Sequence, residues 1–408
     1  MLSRNMAKRT TGFWVLQLLL ATGGVAWATH RYRAIDAHDL LPLPHNEPVR
    51  IGPLYDDPQI VDDSQLRDVL QTLRPKLRGP RPKINHVDHA LRFWGVEAVF
   101  ADPECLSGIE MREILLDHRQ FSSTWGDDAP PFLVSDTAPG LRIRTKQGNA
   151  TASHVDHTLA TLAEVGTPLD YPVITSTGET NLSAVLEQSL RDFSLNQHEY
   201  EWSALAYALY LPHVPRWISS EGQEITYDRL AERIMRQRLA SGVCKGNHRL
   251  HALVMLLRVD ERHDILTQDG RARIVAYLQD VTRRLVATQH AQGYWDETWP
   301  GNEFDGRNSP GEALSDPLAN RLLVTGHVME WWALAPAEIH PPHEVLVAAG
   351  QWLSAEISAL SPGQVKAHYT YLTHAGRALS LWRGRFPAEV LSAALPSNSP
   401  GAPGANQR

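Results

Sequence analysis

The sequence predicts an all-α chain in which about six helical hairpins close into a ring, an α/α toroid, and three observations carry that expectation. Helical periodicity runs almost unbroken from Val61 onward, strand-like alternation is scarce, and six segments led by a histidine recur along the chain. Composition fits a large globular core: 408 residues, 43% hydrophobic and 21% charged, exclude a disordered chain, and 2 Cys exclude a disulfide-stapled small domain. With 39 Lys+Arg against 46 Asp+Glu and no basic block, the chain lacks the footprint of a nucleic-acid binder. Two counts stand out, 19 His and 12 Trp.

At the N-terminus, Arg4, Lys8 and Arg9 precede an apolar run from Gly12 to Ala28 that ends Ala26-Trp27-Ala28. Basic residues, an apolar stretch and a small-x-small end are a signal-peptide pattern. A run of about 17 residues is also the shortest that spans a bilayer, so residues 1–28 read as a signal peptide or an N-terminal membrane anchor. Either way the chain is expected to be exported to the periplasm or cell envelope, with membrane contact only through this segment. Cleavage would remove three positive charges and leave a net charge of −10. Residues 29–60 read as an extended Pro-rich arm, residues 61–386 as the toroid, and residues 387–408 as a disordered tail.

Within the toroid, Asp62-Asp63, Ser107 and Thr226 each precede an amphipathic run and can accept bonds from orphan backbone N–H groups, marking helices over 65–77, 109–120 and 227–239. Residues 182–193 and 271–289 place apolar residues three and four apart, with charges opposite. Residues 204–211 and 252–257 are nearly uncharged and fit an inner layer. Only Leu141 to Thr145 and Tyr171 to Thr175 read as short strands.

The repeats decide the architecture. NHVDHAL from Asn85, SHVDHTL from Ser153 and NHRLHAL from Asn247 share one pattern; HEYEWSAL from His198 and HVMEWWAL from His327 share another; HYTY from His368 is a sixth candidate. The leading histidines are 68, 44, 50, 79 and 41 residues apart. A helical hairpin repeat takes roughly 40–50 residues, so the long intervals imply insertions, near 122–150 and 293–317.

At this level the chain resembles the α/α-toroid superfamily that includes terpenoid cyclases and protein prenyltransferase β subunits. The most specific match is Gln289-His290-Ala291-Gln292-Gly293-Tyr294-Trp295, which is similar to the Q-x-x-x-G-x-W core of the QW repeats of squalene-type cyclases. That resemblance implies a structural role for Gln289 and Trp295, tying outer helices together. The cyclases' D-x-D-D motif is absent, and nothing matches the prenyltransferase zinc ligands, so the likeness carries organisation and not chemistry. In combining HVDH, GVCKGNHRLHAL and the Gly326-His327 helix, the chain is most similar to uncharacterised exported bacterial toroid proteins.

If each repeat opens an inner helix, the histidines gather at one mouth of the cavity, where the positive helix end favours neutral imidazole, a base or a metal ligand. The i, i+3 pairs His86/His89, His154/His157, His248/His251, His198/Glu201 and His327/Glu330 each project to one helical face. The candidate site residues are His154, His198, Glu201, Asn247, His248, Arg249 and His327: histidine as base or ligand, Arg249 as anion partner, Glu201 as second acid/base or histidine orienter.

Three chemistries compete. A saccharide ligand would use polar groups with Trp94, Trp202, Trp331 and Trp332 as stacking platforms; within it, Asn247-His248-Arg249 is similar at tripeptide level to the Asn-His pairs of toroidal polysaccharide lyases, with Tyr200, Tyr369 or Tyr371 as acid. A metal site would use the histidine and glutamate pairs together with Cys244, four residues before His248, the ion being left open. A terpenoid-type reaction lacks its acidic motif. From a different class, a non-catalytic envelope scaffold would bind a protein or glycan through the acidic-aromatic loop of Asp296, Glu297, Trp299, Glu303, Phe304 and Asp305. Convergence of His86, His154, His248 and His327 on one small volume would favour an enzyme or ligand receptor over a scaffold. Cofactor, oligomeric state and the pairing of Cys105 with Cys244 are open at this level.

Overall fold

Polar caps and apolar stripes set the helix boundaries in the computed structural model, which describes residues 13–29, 47–135, 140–197, 199–301 and 316–392. Among these residues the chain is mostly helical, with fifteen α-helices and little sheet. The helices are α1 (residues 13–29), α2 (Asp63–Thr72), α3 (Ile84–Trp94), α4 (Gly108–Leu116), α5 (His118–Trp125), α6 (His157–Glu164), α7 (Ser183–Asp192) and α8 (Glu201–Tyr210). They continue with α9 (Tyr227–Arg236), α10 (Asn247–His263), α11 (Gln268–Thr288), α12 (Pro317–Leu334), α13 (His343–Ser358), α14 (Pro362–Trp382) and α15 (Pro387–Ser392).

Asp62, Ser107 and Thr226 cap α2, α4 and α9 as expected, and Asp62 and Ser107 close reciprocal boxes with Gln65 and Glu110. The run expected over 109–120 breaks at Asp117, which turns extended and caps α5 through Arg119 N–H. Both expected strands form, inside antiparallel hairpins whose other halves the sequence reading missed: β1 (Leu133–Val134) with β2 (Arg142–Ile143), and β3 (Pro172–Ile174) with β4 (Glu179–Asn181). A third hairpin pairs β5 (Trp217–Ile218) with β6 (Glu224–Ile225). Strands of two or three residues are too short for alternation to register.

Six helices touch in cyclic order: α3 packs on α6, α6 on α8, α8 on α10, α10 on α12, α12 on α14, and α14 back on α3. These are the helices that hold or directly follow the six repeated segments. All ten residues of α8 are buried, as are ten of the eleven in α3. Helix α11, packed outside α10 and α9, buries only Gly270, Ile274, Leu278, Val281, Thr282 and Leu285, a single stripe of three and four spacing. Helices α2, α4, α9, α11 and α13 lie against members of the six-helix circuit.

Two repeats depart from the expected placement. Helix α12 starts at Pro317 and α14 at Pro362, so His327 and His368 sit well inside helices rather than at their starts. Pro at the first turn lets each helix begin early. Residue His154 precedes α6, which opens at His157. His198 lies outside the described residues, as do Glu303, Phe304 and Asp305 of the second insertion.

The described part of the arm is strapped down. Val49 N–H donates to Leu209 O at 2.9 Å, Asp57 N–H to Trp382 O at 2.7 Å and Tyr55 Oη–H to Ala335 O at 2.7 Å, with the Tyr55 ring stacked on Trp382. Residues 387–392, expected in the tail, form α15 and bury Val390 against the body. Among the described residues no helix is long and apolar enough to cross a membrane; α1 exposes Trp14, Leu18, Leu19 and Trp27.

The QW-like segment is structural here. Gln289 Nε2 donates to Gly293 O and to Val345 O of α13, each at 3.0 Å, and Trp295 Nε1 donates to Leu285 O at 2.8 Å. Gly293 adopts φ 99°, and a Cβ there would meet Ala348 O at 2.4 Å, so the segment locks α11 to α13 only with glycine in place.

Candidate functional site

The circuit of six helices has a polar centre, which is costly unless its groups satisfy one another. Two buried arginines anchor it. Arg92 of α3 donates from Nε to Glu164 of α6 at 2.5 Å and lies 2.8 Å from Glu330 of α12. Arg377 of α14 reaches the same two carboxylates, Glu330 at 2.5 Å and Glu164 at 3.0 Å. All four side chains are at most 6% exposed. Burial alone would raise the carboxyl groups of Glu164 and Glu330, but the guanidiniums outweigh it and hold both well below the usual range.

Histidines pack over this quartet. His374 donates from Nδ1 to the Glu330 carboxylate at 2.6 Å, and its ring stacks on His327 with centroids 3.7 Å apart. His89 stacks on His157 at 4.4 Å, and His157 Nδ1 lies 2.9 Å from Asp88. His248 meets His327 at 5.3 Å and His154 at 5.5 Å. His154 Nδ1 pairs with Glu199 at 2.7 Å, and Lys146 Nζ stands 3.5 Å from the same carboxylate. Burial holds the imidazoles of His248, His327 and His89 well below their ordinary range and takes His374 to about 4, so all four are neutral near pH 7. Neutrality thus comes from burial: His327 and His374 are deep inside their helices, away from any positive helix end.

Of the residues singled out in sequence, His154, His248 and His327 come together. His86 does not join them; burial and the nearby Lys83 and Lys366 take it to about 4, and its ring lies against Tyr369. Its i+3 partner His89 is the one that enters the centre. Glu201 and Arg249 face each other at 3.8 Å, Arg249 also donating to Arg238 O at 2.7 Å. Asn247 Nδ2 donates to Cys244 O at 2.8 Å, so its amide braces the preceding turn. Tyr369 Oη–H is committed to Leu73 O at 3.0 Å. Trp94, Trp202, Trp331 and Trp332 are 0–2% exposed and serve as core, not as stacking platforms. Cys105 and Cys244 are both free thiols.

Sequence reasoning missed Glu199, Lys146, Arg92, Arg377 and Glu164. A visible signal existed for two of them: Arg92 in ALRFW and Arg377 in AGRALSLW are lone charges inside uncharged inner-helix runs. Glu199 carried none.

A cleft of about 300 Å³ opens beside this centre, lined by Lys146, Asp156, Gln188, Ser189, Asp192 and Gln197 among others. Asp156 accepts from Ser189 Oγ at 2.7 Å and from Ser203 Oγ, and burial raises its carboxyl. Lys146, Asp156, Glu199, Cys244 and Lys245 all have positive φ, between 49° and 63°. Backbone held in this region costs energy for non-glycine residues and gathers where side chains must be aimed. No family model, curated protein or solved structure matches the chain.

Proposed function

We propose that the chain is an exported or membrane-tethered α/α toroid that binds and acts on a small, hydroxyl-rich ligand of the saccharide type at its polar centre. The closed circuit α3–α6–α8–α10–α12–α14, with sparsely buried helices outside it, supports the toroid. The observation that carries the functional reading is the Lys146–Glu199–His154 line, which joins the wall of the cleft to the buried histidines. A ligand in the cleft meets the Gln188 and Gln197 amides and the Asp156 carboxyl, groups that match alcohols. Behind them, the Glu199–His154 pair is a positioned general base. Arg249 and Glu201 stand further inside as charge partner and orienter.

The test is a glycan-binding and turnover screen on the full chain with Glu199→Gln and His248→Ala beside it. Binding that falls at least tenfold in E199Q, with the helical circular dichroism unchanged, is the expected result. No saccharide bound, or equal binding by all three proteins, removes the reading. A second reading, a non-catalytic envelope scaffold, is favoured by the burial of Trp94, Trp202, Trp331 and Trp332. It expects a protein partner whose binding is indifferent to both substitutions. Export is tested by fractionation and N-terminal sequencing: a chain starting after Ala28 means cleavage, an intact membrane-bound chain means an anchor, and an intact cytoplasmic chain sinks export.

A further inference from the structure

From the geometry around the turn before α10, we infer that Cys244, His248 and His327 form a zinc site with a fourth position open toward His154. This rests on the reading of the centre as a working site rather than packed core. One ligand atom from each of the three residues lies within 4.8 Å of the others. A tetrahedral zinc ion with one thiolate and two imidazoles needs bonds of about 2.0–2.3 Å, so the three atoms close on an ion with a shift of roughly an ångström.

Each ligand is prepared independently. His327 donates from Nδ1 to Leu323 O at 2.7 Å, one turn back in α12. That bond fixes the tautomer and leaves the lone pair on Nε2, which is buried and makes no hydrogen bond among the described residues. His248 is 4% exposed, and neither of its ring nitrogens finds a hydrogen-bond partner there. A buried imidazole lacking both bonds is costly in a packed core and is explained by a ligand. Cys244 is aimed by an unusual turn: Cys244 and Lys245 are consecutive residues at φ 49° and 56°. Gly242 and Gly246 allow the fold-back, since a Cβ on Gly242 would meet Gly246 Cα at 2.7 Å. The Asn247 amide then pins the Cys244 carbonyl.

A thiolate with two neutral imidazoles suits zinc, and also suits copper. The neighbourhood favours zinc: Glu199 stands 4.0 Å from His248 Nδ1 and holds His154, whose ring lies 5.5 Å from that of His248. A carboxylate-held imidazole beside an open zinc position can take a proton from a zinc-bound water, whose acidity the ion raises. The centre would then deliver a hydroxide to a ligand entering from the cleft.

The experiment uses the full chain, reduced and chelator-treated, with zinc and cobalt(II) as probes. One zinc per chain and a cobalt spectrum with tetrahedral d–d bands plus a thiolate charge-transfer band are expected. Cys244→Ser should abolish the charge-transfer band and His327→Gln should weaken zinc binding at least 100-fold, each with unchanged circular dichroism. The absence of a thiolate band in folded wild-type protein overturns the site, as does tight copper uptake without zinc uptake. If glycan binding still depends on Glu199 in that metal-free protein, the metal falls and the ligand reading stands; if neither metal nor ligand binds, both fall.

Discussion

Arg92 is buried against two carboxylates, Glu164 and Glu330, and two imidazoles, His251 and His374, so its removal strands charge rather than merely loosening packing. Arg92→Met should cost about 3–5 kcal/mol, read as a lower urea midpoint; a loss under about 1 kcal/mol would mean the quartet holds little. The buried histidines set a second expectation. A histidine whose folded value lies below its unfolded one makes no pH-dependent contribution above about pH 6.5, where both states are neutral. As the pH falls further the unfolded chain takes up the proton first, so stability drops until the folded value is reached. For His86 that window runs from about 6.5 down to about 4, worth about 1.4 kcal/mol per pH unit. Glu164 and Glu330 act in the same direction below about pH 4.5, where the unfolded carboxylates take up protons while the folded ones stay ionised. Urea melts between pH 7 and 4 should show this decline, and His86→Gln should flatten its upper part. At this scale the sequence exposed the histidines but not their partners. Glu199 lies in a loop where no periodicity marks it, and its pairing with His154 spans 45 residues.

Helices α12 and α14 approach each other through Gly326. A Cβ at that position would come within 2.9 Å of the Ala375 backbone nitrogen, closer than side chains tolerate. Alanine gains about 1 kcal/mol in helix propensity over glycine, but overpacking against backbone costs about 1–3 kcal/mol. Gly326→Ala should therefore be net destabilising and lower the melting temperature; a rise would show that the helices can part. Caps were legible because one side chain and three residues suffice to specify them, as at Asp62 and Ser107. The layers were legible from charge, α8 being almost uncharged and α11 striped. The starts of α12 and α14 were not, because a histidine-led motif drew the boundary to residues 327 and 368 while the first-turn prolines lay 10 and 6 residues earlier.

Across the whole molecule, the arm binds what the helices leave open. Residues 49–57 hydrogen-bond to the ends of α8 and α14 and to the residue after α12, and Arg383 joins Asp56 and Asp63 at 2.8 and 2.9 Å. Tyr55→Ala removes a stacked ring and a bond to Ala335, and should cost about 3 kcal/mol with faster hydrogen exchange at the Asp57 amide; unchanged exchange would mean the strap holds without it. The circuit of helix contacts joins elements far apart in the chain, with Arg92 and His374 separated by 282 positions. Ribosomes add about 5–20 residues per second, so α3 waits roughly 15–60 s after its own synthesis for the helix that covers it. During that interval α3 has α4 and α6 beside it, and Arg92 has Glu164, but the face that meets α14 is uncovered, and the nascent chain needs shielding from aggregation until α14 is made.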